Sequence, residues 1–158
     1  MPMLTDKEFH AAAERYLDMV YRLALNTLRH PADAEDAAQN VMLRLCQYRE
    51  KLEGEDHLRY WLVRVTLNEC KRLRSSPWHR RTVPLESCQE PVFSDLERRQ
   101  LFQDVMALPA RYRVPLYLYY YEGYSVAEVG ELLHLKVSTV QTRLARGRAK
   151  LKASWTEE

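Results

Sequence analysis

The chain has 158 residues, enough for one ordinary domain or two small ones, with 46% apolar residues, 29% charged residues and a net charge of +2. No apolar run approaches the roughly 20 residues that a membrane-crossing helix requires. The first stretch, MPMLTDKEFHAAAERY, lacks the basic-then-apolar layout of a signal peptide, so a cytoplasmic protein without membrane insertion is predicted.

Residues 1–56 hold 7 basic and 11 acidic side chains, a net −4. Within them Phe9, Tyr16, Val20, Leu23 and Thr27 fall on one helical stripe, and Ala34, Ala37, Val41, Leu45 and Tyr48 on another. HPAD at 30–33 separates the two helices; Asp33 is placed to cap the second, with Glu35 and Asp36 in its first turn. KLEGEDH at 51–57 reads as a loop. A third helix is predicted from about Leu58 to Arg74, with Leu58, Trp61, Leu62, Val65 and Leu73 as its apolar side. It carries most of a basic island: residues 57–81 set seven cations against Glu69 alone, a net +6.

From SSPW at 75–78 to EPVFS at 90–94 the composition turns to Ser, Pro, Gln and charge, a linker signature. Residues 82–135 return to −4 and residues 136–152 rise again to +6. Helices are predicted near Asp95–Ala107, Tyr112–Tyr121, Val126–Leu133 and Val137–Lys152; YLYYY at 117–121 has strand propensity but a helical context. The predicted fold class is therefore all-α, two small helical domains over 1–75 and 95–158 joined by a flexible linker at 76–94. Polyanions bind separated basic islands through counterion release, which depends on local rather than net charge.

The last two helices carry the most specific pattern. Ser125-Val126-Ala127-Glu128 fits a capping box, and Val126, Val129, Leu132 and Leu133 make a buried face. His134-Leu135-Lys136 suffices for a turn, where histidine tolerates positive φ better than most residues. In the following helix Val140, Leu144, Gly147 and Leu151 share one side, while Ser138, Thr142, Ala145, Arg146 and Ala149 lie opposite. Gln141, Arg148 and Lys152 flank one edge, Arg143 and Lys150 the other. A small, polar outward centre with cationic margins lets a helix backbone approach a DNA groove, which is the helix-turn-helix pattern. Gln141 and Thr142 can bond base edges and Arg146 can address guanine; the competing reading is a merely solvated basic helix.

LPARYRVPLYLYYYEGYSVAEVGELLHLKVSTVQTRLARGRAKL closely resembles region 4 of the extracytoplasmic-function (group 4) bacterial sigma factors, and DAEDAAQNVMLRL followed by YWLVRVTLNECKRLR resembles their region 2. The resemblance spans about Phe9 to Leu151, with both blocks in the family's order. It implies binding to core RNA polymerase through the clamp helices and flap, direction to promoter DNA, and help in opening the duplex. By position it places Asp36, Gln39, Asn40 and Met42 on the clamp-helix face, Asn40 standing where the family commonly has glutamate. It places Tyr60, Arg64, Asn68, Lys71, Arg72 and Arg74 on the helix that recognises and melts the minus-ten element, Asn68 facing an extruded base, with the loop Glu53–His57 helping to shape that base's pocket. Melted DNA presents unstacked bases and phosphates, so aromatic, amide and cationic groups on one helix suit it; Trp61 shares the apolar stripe and reads as core. It places Ser138, Thr139, Gln141, Thr142, Arg143, Ala145, Arg146, Arg148 and Lys150 at the minus-thirty-five element, with Arg143, Arg148 and Lys150 as phosphate contacts or structural ion pairs. The family commonly has an anti-sigma factor as a further partner.

Other functions fit less well. His10, His30, His57, His79 and His134 are scattered, with no HxxxH pair, Gly-rich phosphate loop or nucleophile elbow, so no enzyme, cofactor or metal is predicted. Cys46, Cys70 and Cys88 are odd in number and far apart, matching neither a disulfide framework nor a CxxC site, and read as reduced thiols. A stand-alone helix-turn-helix regulator would have no use for the first basic helix bearing Tyr60 and Asn68.

Overall fold

The computed structural model describes residues 4–48, 53–75 and 96–156. Contacts divide the chain into two compact units, Met1–Pro91 and Val92–Glu158. The whole of the predicted linker, 76–94, and Cys88 with it, lies outside the described residues.

In the first unit α1 (Asp6–Leu28), α2 (Pro31–Cys46) and α3 (Glu55–Arg74) pack against one another in all three pairings. α1 begins with a capping box between Thr5 and Glu8 and ends at Arg29, which takes the left-handed conformation at φ 55°. Two residues later α2 starts. His30, not Asp33, is its cap: Pro31 occupies the first turn, where a missing N–H costs nothing, and His30 Nδ1 accepts from the Asp33 backbone N–H at 3.2 Å. Asp33 still complements the helix dipole, with its carboxylate 3.4 Å from His30.

α3 starts three residues earlier than its apolar pattern predicts, so Glu55, Asp56 and His57 are helical rather than loop. Gly54 precedes it at φ 124°, a conformation that favours glycine. Two acids in the first turn suit the positive helix end, and Tyr16 of α1 donates a 2.5 Å hydrogen bond to Glu55 Oε2. These anchors extend the helix over polar residues whose periodicity gives no apolar signal. The core comprises Val20, Leu23, Ala24, Ala37, Val41, Leu45, Leu62 and Val63, all fully buried; each large aliphatic among them stabilises by about 1.5–3 kcal/mol on burial. Trp61 is half-buried and meets Tyr48 edge-on at 4.8 Å, consistent with the core reading.

The second unit contains α4 (Leu96–Met106), α5 (Ala110–Leu116), α6 (Val126–Leu133) and α7 (Val137–Thr156). Between α5 and α6 the YLYYY segment, Tyr117–Tyr121, is a π-helical turn, neither strand nor a continuation of the α-helix. Pro115 removes one backbone donor just before it, and the wider turn closes with Glu122 N–H on Tyr117 O at 3.2 Å. Tyr117 is fully buried, and its hydroxyl donates to Glu122 Oε1 at 2.7 Å. α5 and α7 form the main contact of this unit, and α6 packs on α7.

Candidate nucleic-acid interfaces

In the second unit the predicted helix-turn-helix is present, with Val129 and Leu132 of the predicted apolar face buried and Val126 and Leu133 at its margins half-buried. Ser125 Oγ accepts from Glu128 N–H at 3.1 Å, and Glu128 Oε1 accepts from Ser125 N–H at 3.0 Å. His134 takes the left-handed conformation at φ 57°, ψ 45°, so the chain turns sharply between α6 and α7. Leu135 N–H bonds Gly130 O at 2.8 Å, and a Cβ on Gly130 would lie 2.8 Å from the Leu135 carbonyl oxygen. The turn therefore closes tightly because position 130 has no side chain.

On α7, Val140, Leu144, Gly147 and Leu151 are buried, while Ser138, Gln141, Thr142, Ala145, Arg146, Ala149, Lys150 and Lys152 are exposed. Thr139 and Arg143 are half-buried. Thr142 gives its hydroxyl proton to Ser138 O at 3.0 Å, which leaves its lone pairs and methyl facing outward. Behind the cations stands Tyr112 of α5: Lys150 Nζ lies 5.7 Å and the Arg111 guanidinium 4.8 Å from its ring centre. Hydrogen bonding from Arg111, and after it from Arg146, holds the Tyr112 phenol below its usual pKa. Arg148, predicted among the DNA contacts, is exposed and donates from Nη1 to the Tyr120 hydroxyl at 3.1 Å. It borders an apolar groove of about 480 Å³ whose walls include Leu101, Val105, Leu116, Tyr121 and Leu151.

In the first unit, Arg64, Asn68, Lys71, Arg72 and Arg74 are exposed and Tyr60 half-buried, successive residues being one to four apart along α3. Apolar and polar neighbours (Leu58, Leu62, Val63, Val65, Thr66, Leu67, Glu69 and Cys70) are buried beneath them. On α2, Asp36 and Gln39 are exposed, Asn40 and Met42 half-buried. Asn40 turns its amide inward, Nδ2 lying 3.4 Å from Glu69 Oε2. The sequence reading overlooked Leu43, which is 61% exposed between these residues and Gln47. An apolar residue standing off the stripe Ala37–Val41–Leu45 was the available signal. Glu53–His57, predicted as a pocket-shaping loop, is tied back: His57 Nδ1 accepts from Glu53 N–H at 3.1 Å, and Glu55 engages Tyr16 and, at 3.6 Å, Arg15.

Among the described residues no helix is long and apolar enough to cross a membrane, and no group of three or more His, Cys, Asp or Glu side chains is arranged to hold a metal.

Two family models match the chain: Sigma-70 region 2 over residues 12–80 and Sigma-70, region 4, over residues 99–151. The ECF RNA polymerase sigma factor SigM of Mycobacterium tuberculosis is 31% identical over 156 residues, spanning 90% of this chain and 79% of SigM. The chain belongs to the ECF RNA polymerase sigma factors. SigW of Bacillus subtilis, another ECF sigma factor, is 27% identical over 155 residues, 87% of this chain and 83% of SigW. Two solved structures share the fold. RpoE from Bartonella quintana, in complex with the anti-sigma factor NepR, has a TM-score of 0.68 at 17% identity and covers 93% of this chain and 96% of its own. CnrH, in complex with the cytosolic domain of CnrY, has a TM-score of 0.61 at 22% identity, covering 98% and 91%.

As an ECF sigma factor the chain is an alternative sigma subunit that directs promoter-specific initiation of transcription. Sigma factors are specificity subunits of RNA polymerase rather than catalysts. Region 2 of this sigma factor holds the first basic helix, α3, and region 4 holds the helix-turn-helix.

Proposed function

We propose that this sigma factor reads the minus-thirty-five element with α7 and the minus-ten element with α3, and that it brings no catalytic site of its own. The observation carrying the first assignment is the exposed row Ser138, Gln141, Thr142, Ala145 and Arg146 on a helix whose opposite side is wholly buried. Gln141, Thr142 and Arg146 supply base-edge donors and acceptors, Ala145 admits the backbone to the groove, and Arg143 and Lys150 meet the flanking phosphates. Ser138 and Thr139 stand at the first turn of α7, where backbone N–H groups attract phosphate.

On α3, Asn68 takes an extruded base, Tyr60 offers a partly exposed ring, and Arg64, Lys71, Arg72 and Arg74 hold the strand. Melting needs no bond chemistry, because contacts to unstacked bases offset an unstacking cost of a few kcal/mol. Core polymerase binds through its clamp helices to Asp36, Gln39, Asn40 and Met42, with Leu43 as the apolar centre of that surface. Its flap docks on the apolar groove beside Tyr120 and Leu151, the support being the groove's almost entirely apolar walls. An anti-sigma factor is a further partner, supported by the fold neighbour RpoE, which was solved with the anti-sigma factor NepR. The protein works in the cytoplasm, where the polymerase is.

Transcription with sigma-free core polymerase tests this reading. Adding the chain is expected to create new, discrete RNA start sites on genomic templates, and binding to those promoters is expected to require the core enzyme. Unaltered start sites would refute the function; protection of DNA by the chain alone would favour a stand-alone regulator.

A further inference from the structure

Glu69 is the one acidic residue in the basic island of α3, and it is buried, with 3% of its side chain accessible. Four donor groups converge on it. Arg72 Nε and Nη2 reach Oε2 at 3.1 and 3.0 Å, Asn40 Nδ2 reaches the same oxygen at 3.4 Å, and Arg44 Nη2 reaches Oε1 at 2.8 Å. A carboxylate offers about four lone-pair sites, two on each oxygen; here Oε2 takes three of the donors and Oε1 one, so both oxygens are engaged.

One cation would neutralise Glu69, and two are present. A single carboxyl group thus holds the guanidinium of α2 beside that of α3, against their mutual repulsion, and leaves the cluster with a surplus positive charge. Both guanidinium side chains remain about half accessible, at 51% for Arg44 and 56% for Arg72. Each arginine has five N–H donors in a planar fork, and most of those not spent on Glu69 stay available to solvent or a ligand. The last turn of α2 suits any cation through the helix dipole, but the dipole does not require Arg44 to lean toward α3. A buried carboxylate engaged at both oxygens beneath two half-exposed forks is a geometry for gripping an external anion.

We propose that Arg44 is a further DNA-phosphate contact of region 2. Glu69 is its positioning residue, aligning Arg44 with Arg72 so that the two forks engage the backbone of one strand at the minus-ten region. This rests on the reading of α3 as the minus-ten helix. It adds a residue from α2, and it explains why asparagine stands at position 40. A glutamate there would face the buried Glu69 as a second carboxylate, whereas the amide of Asn40 donates to it.

The test uses holoenzyme and a forked DNA made from a promoter mapped in the transcription assay, with binding followed against salt concentration. Arg44→Ala is expected to make the slope of log affinity against log salt shallower by about 0.7 to 0.9, one phosphate contact, on matched and scrambled minus-ten sequences alike. Arg44→Lys is expected to keep the wild-type slope. Arg72 and Asn40 remain on Glu69 in both variants, so the fold is expected to persist, checked by thermal unfolding of the free chain. A lower melting temperature with an unchanged slope would overturn the proposal and leave Arg44 as a counter-ion for Glu69. Weaker association with core polymerase at an unchanged slope would overturn it in favour of a protein contact. Absence of any promoter directed by the wild-type chain would instead defeat the sigma-factor reading, and this proposal with it.

Discussion

A Cβ placed on Gly147 of α7 would lie 2.7 Å from Leu116 Cδ1 of α5 and 3.2 Å from Leu116 Cγ. The two helices of region 4 approach that closely because position 147 has no side chain, and the contact fixes how α7 is presented. Gly147→Ala gains about 1 kcal/mol of helix propensity but overpacks a contact at Leu116, which is only 1% exposed. Overpacking costs about 1–3 kcal/mol, so steric cost wins. The variant is expected to unfold at a lower temperature or lower urea concentration than wild type. A melting curve at or above that of wild type would show that Leu116 can move aside.

Arg146 is exposed on the outward row of α7 and within hydrogen-bonding reach of Tyr112. Arg146→Ala is expected to cost about 1–3 kcal/mol of holoenzyme affinity for its promoter and to relax preference at one upstream base pair. Competition among promoters mutated singly across the minus-thirty-five element measures this. Loss spread equally over all sequences would make Arg146 a phosphate contact instead.

Asn68 projects from α3 amid Arg64, Lys71 and Arg72 with its side chain exposed. Asn68→Ala is expected to leave closed-complex formation intact and to slow opening of duplex promoter, with little effect on a template already melted around the start site. Opening rates on the two templates, followed by a fluorescent base near the minus-ten element, provide the measurement. Equal slowing on both would remove Asn68 from the opening step.

Cys70 is fully buried in region 2, and burial pushes its thiol from a usual 9.0 up to about 12. The thiolate is the reactive species, so a thiol reagent at pH 8 is expected to modify exposed Cys46 in the native protein and to spare Cys70 until urea unfolds the chain. The same burial sets a sign for alkaline stability. The folded state keeps its proton where the unfolded thiol has lost it. This contribution is therefore whole below pH 9.0 and falls away as pH rises toward about 12, at no more than about 1.4 kcal/mol per pH unit. Cys70→Ala is expected to flatten that part of a urea-midpoint profile.

Much of the helix-turn-helix of region 4 was legible in the sequence: the capping box at Ser125, the turn at His134 and the buried row Val140, Leu144, Gly147, Leu151 all stand as read. Each rests on spacing of a few residues along one helix, which local chemistry controls. Errors arose where a neighbouring element competed. Asp33 lost the cap of α2 to His30, because Pro31 fills the first turn. α3 gained a turn because Tyr16, 39 residues away, holds Glu55. The helix through Pro115 widened into a π turn, where buried Tyr117 reaches Glu122.

The order of seven helices, the two basic islands and the family were determined by the amino-acid sequence alone, since hydrophobic period and charge run are properties of adjacent residues. Only the tertiary structure decided that Asn40, Arg44, Glu69 and Arg72 form one cluster, that Leu43 stands exposed, and that Arg148 serves Tyr120. The reason is burial. Whether a charged side chain meets water or a partner depends on which helix lies across from it, and packing of the apolar faces sets that arrangement.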